Sequence, residues 1–231
     1  LLLSMPRQGL GNSAIASVAD DDQLARFAGK WAAMAITEPE AGSDSAAIRT
    51  TAILDGDEYV INGEKIYVTS GERADLVVVW ATLDPSAGRA AIKSFVVERS
   101  NPGMILERLE HKLGIRASDT AAFRLVDCRV PAGNLLGDPE LNVEKGFAGV
   151  MQTFDNTRPL VAAMAVGLAR GCLEDCKSML EQAGMVIDYD RPAALQPAAV
   201  AEYLEMEADY EAAFLLMLEA TWMADNRQPN S

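Results

Sequence analysis

The sequence predicts an α+β fold in which a β-domain lies between two helical regions. Residues 31–141 hold about seven short strand-like segments at regular spacing, which is typical of an antiparallel β-barrel or sandwich. Residues 142–231 show long helical patterns, and residues 1–30 resemble the end of a helical region. Because strands and helices do not alternate along the chain, we do not expect a doubly wound nucleotide-binding fold.

The first helical region is expected to end in a short helix before Trp31. Residues 20–22 are three consecutive aspartates, which are good N-cap candidates. Leu24 and Phe27 follow at helical spacing and indicate one apolar side. From Trp31 onward the pattern changes to that of strands.

Turn residues delimit the predicted strands. Two turn signals come early, at Asp55-Gly56-Asp57 and at Asn62-Gly63, and an Asn-Gly pair between alternating residues predicts a hairpin turn. The run LVVVWATL at 76–83 is almost continuously apolar, so we expect a central strand that is buried on both faces. Further strands are expected in IKSFVVE, MILERLE and AAFRLVDCRVP, the last of which ends at Pro131.

Two long helices are expected after Glu144. Pro159 interrupts the first helical pattern and predicts a kink or a missing hydrogen bond near Asp155, because proline has no backbone N–H. Pro197 is expected in the first turn of the second helix, where a missing N–H is tolerated.

Composition excludes several classes of function. The 34 acidic residues outnumber the 20 basic ones, which argues against a nucleic-acid partner. A phosphorylated small molecule stays compatible with this charge, because it needs only one or two well-placed cations. The sequence contains no apolar run of about 18 residues, so we expect no membrane span.

Cysteine and histidine content narrows the chemistry further. The three cysteines do not form a disulfide framework, and Cys172 and Cys176 are expected on one helix in a reducing compartment. The single histidine, His111, lies in a charged segment and is expected at the surface. A histidine-based metal cluster within this chain is therefore excluded, and we expect no metal.

Two short segments carry the residues best suited to ligand binding. Thr37 and Ser43 offer hydroxyls, and Gly42 lets the backbone approach a ligand closely. Tyr67 and Thr69 are two apart on a predicted strand and share one face, which suits stacking on a planar ring while hydrogen-bonding its edge. An ordinary polar loop and an ordinary cross-strand pair remain open as alternatives on these residues alone.

Together these segments resemble the flavin-binding signature of the acyl-CoA dehydrogenase family. The pattern T-E-P-x-A-G-S-D stands at 37–44, and the pattern I-N-G-x-K-x-(W/Y)-(I/V)-T stands at 61–69. The likeness continues through Lys112 to Thr120, Leu125 to Gly137 and Gly146 to Ala169, in unbroken order.

The resemblance implies three regions and an activity. The regions are the end of an N-terminal helical domain (1–30), a middle β-domain (31–141) and the first helices of a C-terminal helical bundle (142–231). The implied enzyme uses FAD, removes a proton from Cα and a hydride from Cβ of an acyl-CoA thioester, and releases the trans-2-enoyl-CoA. An electron-transfer acceptor protein, a homomeric or heteromeric dimer or tetramer, and a cytoplasmic or mitochondrial location are implied with it.

The resemblance also assigns roles to particular residues. Ser43 is expected to meet the pantetheine arm of the substrate, and Asp155 and Arg158 are expected to hold the CoA portion. The guanidinium of Arg158 suits a phosphorylated ligand on physical grounds as well. Flavin contacts are implied at Ile36, Thr37, Gly42, Ser43, Tyr67, Val68 and Thr69.

Two departures from the family pattern affect the expected chemistry. The family's catalytic base is a glutamate that stands either where this chain has Thr157 or far downstream, so we assign no catalytic residue and expect the base beyond Ser231. Members of the family usually carry an R-x-x-F-G stretch whose Arg reaches the FAD of a neighbouring subunit. This chain has Ala183 and Val186 where that Arg and Phe would stand, and Arg191 is a candidate substitute for the missing cation. Open alternatives are a catalytically weak subunit of a heteromer, an acyl-CoA oxidase and a non-enzymatic binding module.

Overall fold

The computed structural model describes residues 10–140, 148–226 and 228, with side chains outside 148–157. Contacts divide the chain into two compact units, residues 1–153 and residues 154–231. The first unit consists of a β-sheet with two short helices, and the second consists mainly of long helices. The predicted α+β fold class is confirmed.

Two short helices precede the sheet, α1 (Leu10–Val18) and α2 (Asp21–Phe27). The predicted N-cap lies at Asp20, whose carboxylate accepts the N–H of Gln23 while the Gln23 side chain accepts the N–H of Asp20. This reciprocal capping satisfies two donors that a helix start would otherwise leave unpaired. Gln23 also donates to the carbonyl groups of Gly133 and Leu135, so the capped helix is fixed to the end of the sheet.

An eight-stranded sheet forms the body of the first unit. The strand order is β6-β7-β3-β2-β4-β5-β8, and β1 pairs with β4 outside this path. Most pairs are antiparallel, but β1 and β2 each run parallel to β4, so the sheet is mixed and not wholly antiparallel as predicted. The strands are β1 (Ala32–Ala35), β2 (Thr51–Asp55), β3 (Glu58–Thr69), β4 (Leu76–Thr82), β5 (Ile92–Glu98), β6 (Met104–Leu109), β7 (Thr120–Pro131) and β8 (Leu135–Leu136).

The core of this unit is built around β4. Every residue of β4 is buried, which confirms the central strand predicted from its continuous apolar run. Tyr59 of β3 packs edge-on against Phe95 of β5, with ring centroids 5.0 Å apart, and both belong to the main apolar cluster. Strand β1 lies directly beside this core, which fixes the position of the loop that follows it.

The turn predicted at Asn62-Gly63 is wrong. Asp55 to Glu58 form the expected hairpin between β2 and β3. Asn62 and Gly63 make no turn, because β3 continues through them and the register with β7 shifts there. Gly63 has a φ of 154°, and a Cβ at this position would lie 2.8 Å from the Thr50 Cα. Close packing against Thr50, not chain reversal, therefore explains this glycine.

The two predicted long helices are α3 (Ala148–Gln182), most of which belongs to the second unit, and α4 (Ala198–Asp225). Pro159 lies inside α3, which continues through it. Pro197 lies at the N-cap of α4, one position before the first turn in which it was expected. None of the described helices combines the length and the hydropathy needed to cross a membrane.

The three cysteines are all free, and they lie in different environments. Cys128 is buried in β7, and burial raises the pKa of its thiol to about 12. Cys172 is exposed on α3 and Cys176 is half-buried one turn later. His111 is exposed, as predicted.

Candidate functional site

The loop that follows β1 is closed at its base by Glu38. This carboxylate accepts hydrogen bonds from the N–H of Arg49 at 2.6 Å and from the N–H of Thr50 at 3.0 Å. The Thr50 hydroxyl donates to it as well. The side chain of one residue thus joins the two ends of the segment 38–50, which carries the exposed Gly42 and Ser43.

Lys65 of β3 is the cationic partner of Glu38. Its side chain is fully buried, and its Nζ lies 2.7 Å from Glu38 Oε1 and 3.1 Å from the carbonyl oxygen of Ile36. Burial lowers the pKa of Lys65 to about 8, although the charge of Glu38 raises it. Burial alone raises the pKa of Glu38, but the Lys65 charge and the hydrogen bonds to Glu38 outweigh burial and hold this pKa below its usual 4.5.

A β-bulge in β3 brings the two signature segments together. Lys65 pairs with Phe123 of β7 and Val68 pairs with Ala121, so Ile66 and Tyr67 lie outside the regular register. The N–H of Ile66 instead donates to the carbonyl of Thr37 at 2.9 Å. Thr37 therefore lies directly beside the Ile66–Tyr67 segment.

The bulge also determines how Tyr67 is presented. Its φ is 57°, a left-handed conformation that costs a non-glycine residue about 1–2 kcal/mol. The side chain is 61% exposed, whereas Val68 beside it is fully buried. An aromatic ring held out of the sheet in a strained conformation is typical of a residue that contacts a ligand.

The structure places the remaining predicted contacts in two groups. Thr37 and Thr69 are half-buried, so part of each residue is accessible to a ligand. The Ile36 and Val68 side chains are buried, at 7% and 0% exposure, which leaves only their backbone for a ligand. Their side chains instead contribute to the packing of the first unit.

The end of β3 is fixed by a residue that the sequence reasoning missed. Asp119 accepts hydrogen bonds from the N–H of Glu72 and from the Nε of Arg73, the latter at 2.6 Å. Its backbone carbonyl accepts the N–H of Ser70 at 2.8 Å. Asp119 lies in the segment Lys112 to Thr120, so this part of the family pattern supports the strand that carries Tyr67 and Thr69.

The predicted CoA contacts lie at the start of the second unit. Arg158 is exposed and borders a groove of about 390 Å³ between α3 and α4, whose other lining residues include Pro159, Ala162 and Met217. The side chain of Asp155 lies outside the described residues. The roles of Asp155 and Arg158 stay predictions.

The donor set beside β3 fits a planar ring with a polar edge. Among the described residues, neither the N–H nor the hydroxyl of Thr37 has a hydrogen-bond partner, while the carbonyl of Thr37 is occupied by Ile66. Tyr67, an exposed aromatic residue, follows Ile66, whose N–H donates to the Thr37 carbonyl. Hydrogen-bond donors and an exposed aromatic residue on two neighbouring segments suit an isoalloxazine ring, which accepts hydrogen bonds at its edge and packs on its faces.

Comparison with known proteins identifies the family. The family of the acyl-CoA dehydrogenase middle domain matches residues 33–128, and the family of the acyl-CoA dehydrogenase C-terminal domain matches residues 144–231. This chain belongs to the acyl-CoA dehydrogenase family.

Two curated members of the acyl-CoA dehydrogenase family show how far the likeness extends. Cyclohex-1-ene-1-carbonyl-CoA dehydrogenase of Syntrophus aciditrophicus is 40% identical over 208 residues, which cover 87% of this chain and 48% of that protein. The short-chain specific acyl-CoA dehydrogenase of Clostridium acetobutylicum is 40% identical over 153 residues, covering 66% and 39%. The chain therefore spans about half the length, or less, of these relatives.

The fold is shared with solved acyl-CoA dehydrogenase structures. Butyryl-CoA dehydrogenase from Megasphaera elsdenii has a TM-score of 0.82 at 30% sequence identity, covering 99% of this chain and 63% of that one. The predicted family resemblance is therefore confirmed by sequence and by structure.

Proposed function

We propose that the protein is an FAD-dependent acyl-CoA dehydrogenase that converts an acyl-CoA thioester into the trans-2-enoyl-CoA. The observation that carries this proposal is the hydrogen bond from Ile66 N–H to Thr37 O. It holds the two halves of the flavin-binding signature side by side, although they are far apart in the sequence. The names of the two curated relatives, both dehydrogenases, support the same reaction class.

The residues of the first unit bind and orient the cofactor in this proposal. Thr37 donates hydrogen bonds to the polar edge of the flavin, and Thr69 offers a second hydroxyl. Tyr67 contacts the ring system. Gly42 leaves room for the flavin beside the exposed loop, because even a Cβ added at this position would have no atom within 4 Å. The flavin itself supplies the acceptor for the hydride that leaves Cβ of the substrate.

Substrate contacts are proposed for residues of each unit separately. Ser43 is exposed and offers a hydroxyl to the pantetheine arm. Arg158 offers a guanidinium to an anionic part of CoA, and Asp155 is proposed to act beside it. An electron-transfer protein as the final acceptor, and a dimer or tetramer as the assembly, belong to the same proposal.

No carboxylate near the flavin segments is proposed as the base. Glu38 is 7% exposed and is held by Lys65, Arg49 and Thr50, so it cannot approach a substrate α-proton. The base stays a prediction for a position beyond Ser231.

A second candidate function is a catalytically weak subunit that completes the site of a related chain. The observation in its favour lies at the end of α3, where Ala183 and Val186 stand in place of the family's Arg and Phe. Both residues are exposed in the segment after Gln182, and neither can supply a cation to a phosphate. Co-purification of a related second chain that is required for activity would favour this candidate.

Purification of the full-length protein tests both candidates. We expect a yellow protein with a flavin absorbance spectrum that bleaches when an acyl-CoA is added and that reduces an artificial electron acceptor. A colourless protein that FAD cannot reconstitute would contradict the dehydrogenase proposal. A yellow protein that no acyl-CoA bleaches, even as full-length chain, would leave the weak-subunit candidate as the better one.

A further inference from the structure

Stability alone does not explain why the side chain of Lys65 is buried. Its side chain is fully buried while its ammonium carries a charge opposite Glu38. Placing two charges in a protein interior is costly, and well-packed apolar residues of similar volume are often equally stable or more stable. A role that requires a hydrogen-bond donor accounts better for a lysine at this position.

The second acceptor of Lys65 indicates that role. Its Nζ lies 3.1 Å from the carbonyl oxygen of Ile36, and the N–H of Ile66 holds the next carbonyl, that of Thr37. The carbonyl groups of two consecutive residues, Ile36 and Thr37, are thus fixed by donors from β3. An apolar side chain at position 65 could fill the space but could not hold the first of them.

The geometry of the peptide bond between Ile36 and Thr37 determines the direction of the Thr37 N–H. The peptide bond between Ile36 and Thr37 is planar and trans, so its C=O and N–H point in opposite directions. Because the carbonyl points toward Lys65 in the interior, the N–H of Thr37 points away from the buried ion pair. This N–H has no hydrogen-bond partner among the described residues and is available to a ligand.

Resting on the proposed function, we propose that Lys65 is a positioning residue that presents the Thr37 N–H to the polar edge of the flavin. Glu38 keeps the ammonium beside the Ile36 carbonyl. Arg49 and Thr50 in turn hold Glu38 through the hydrogen bonds at the base of the loop. A chain of buried contacts therefore runs from the start of β2 to one backbone donor of the cofactor site.

The charges of the pair support this arrangement at neutral pH. The pKa of Lys65, lowered by burial to about 8, still lies above neutrality, and the pKa of Glu38 lies below its usual value. An ammonium can donate to two acceptors at once, here the carboxylate and the carbonyl. Both hydrogen bonds of Lys65 are present in the structure, at 2.7 Å to Glu38 and 3.1 Å to the Ile36 carbonyl.

The test separates positioning from stability with two variants of the full-length protein. Lys65→Met leaves the Glu38 charge buried without a partner, so we expect a large loss of stability. Lys65→Met/Glu38→Gln removes both charges, and we expect stability near that of the wild type. We expect the double variant to bind FAD about tenfold more weakly, because one hydrogen bond to the flavin is misdirected, and to shift the visible spectrum of the bound flavin.

Lys93 provides a matched control. This lysine is also buried, at 9% exposure, and its ammonium donates to the carbonyls of Asp138 and Glu140 at 2.7 and 2.6 Å. Lys93→Met should lower the free energy of unfolding while leaving the FAD dissociation constant and the flavin spectrum unchanged. An equal loss of FAD affinity in this control would show that the effect of Lys65 is only general destabilisation.

The outcomes also distinguish this inference from the proposed function. A wild type that binds FAD and oxidises acyl-CoA, together with a double variant of identical FAD affinity and spectrum, would overturn the positioning role alone. A wild type that FAD cannot reconstitute would overturn the proposed function, and the positioning role with it.

Discussion

Lys65 and Glu38 form an ion pair inside the first unit, with 2.7 Å between Nζ and Oε1 and no more than 7% of either side chain exposed. This pair joins strand β3 to the loop that follows β1, and Glu38 extends the connection to the start of β2 through Thr50. The loop that carries Gly42 and Ser43 is therefore fixed by buried side chains at its base while its tip stays exposed. Such a loop can be ordered before a ligand arrives, which reduces the entropy lost on binding.

Acid should destabilise the protein partly through Glu38. Its pKa in the folded state lies below the usual 4.5, so the folded state binds fewer protons than the unfolded state. The stability that this carboxylate contributes is present above 4.5 and is lost as pH falls through the folded-state value. We expect the free energy of unfolding, measured by urea denaturation, to fall less steeply below pH 4.5 in Glu38→Gln than in the wild type.

The Glu38→Gln variant is also expected to be less stable at neutral pH, since Lys65 then lacks its charged partner. The comparison therefore depends on the slope with pH and not on the absolute stability. Parallel slopes for the two proteins would contradict the assignment.

Replacing Tyr67 by glycine should weaken FAD binding without lowering the stability of the protein. Its φ of 57° strains a tyrosine but not a glycine, and 61% of the residue is exposed. We expect Tyr67→Gly to leave the free energy of unfolding unchanged or to raise it by up to about 1 kcal/mol, while FAD binds more weakly. Thermal denaturation of the apoprotein and FAD titration measure the two effects.

Ile115 is the matched control for Tyr67. It is also a non-glycine residue at positive φ, 49°, and it is 59% exposed, but it lies outside the predicted flavin contacts. Ile115→Gly should have the same effect on stability and none on FAD binding. A loss of FAD affinity in both variants would assign the effect to strain relief and not to the tyrosine ring.

The ion pair of Lys65 was not predicted from the sequence, although a signal for it exists. Tyr59 and Ile61 are buried and alternate with more exposed residues, and the same alternation places position 65 on the buried face. A lysine on that face requires an acidic partner in the interior, because a buried unpaired charge is too costly. The identity of the partner does not follow from the pattern, since Glu38 reaches it through the tertiary fold.

The Asn62-Gly63 pair shows why a strong local signal was wrong here. The Asn-Gly rule concerns the backbone of an isolated hairpin, whereas Gly63 is needed here for its φ of 154° and its close contact with Thr50. The central strand β4 was predicted correctly because burial on both faces requires a continuous apolar run, which is visible in the sequence. Contacts between distant segments produce no such local pattern.

Gly63→Ala tests this explanation. An added Cβ would lie 2.8 Å from the Thr50 Cα and would push on the residue that holds Glu38, so we expect a loss of about 2 kcal/mol or more in the free energy of unfolding. Gly88 is the control, because it also has a positive φ, 57°, while no atom lies within 4 Å of a Cβ there. Gly88→Ala should therefore cost only backbone strain, about 1 kcal/mol. Equal effects of the two substitutions would show that packing against Thr50 is not the reason for Gly63.

Arg158 should affect substrate binding without affecting the cofactor. It is exposed on α3, beside the groove between α3 and α4, and it is proposed to contact an anionic part of CoA. Removing a charge-assisted hydrogen bond that is made equally in the ground and transition states raises KM and leaves kcat unchanged. For Arg158→Ala in the full-length enzyme we expect KM for the acyl-CoA to rise at least about tenfold, with an unchanged FAD dissociation constant.

Arg170 on the same helix provides the control for this prediction. It is exposed and pairs with Glu174 at 2.9 Å in an i,i+4 arrangement, which contributes little to stability. Arg170→Ala removes the same charge from α3 and should leave KM unchanged. If both substitutions raise KM equally, the substrate responds to the overall charge of the helix, and the specific contact assigned to Arg158 is wrong. If kcat falls while KM stays constant in Arg158→Ala alone, the arginine acts in the transition state and not in uniform binding of CoA.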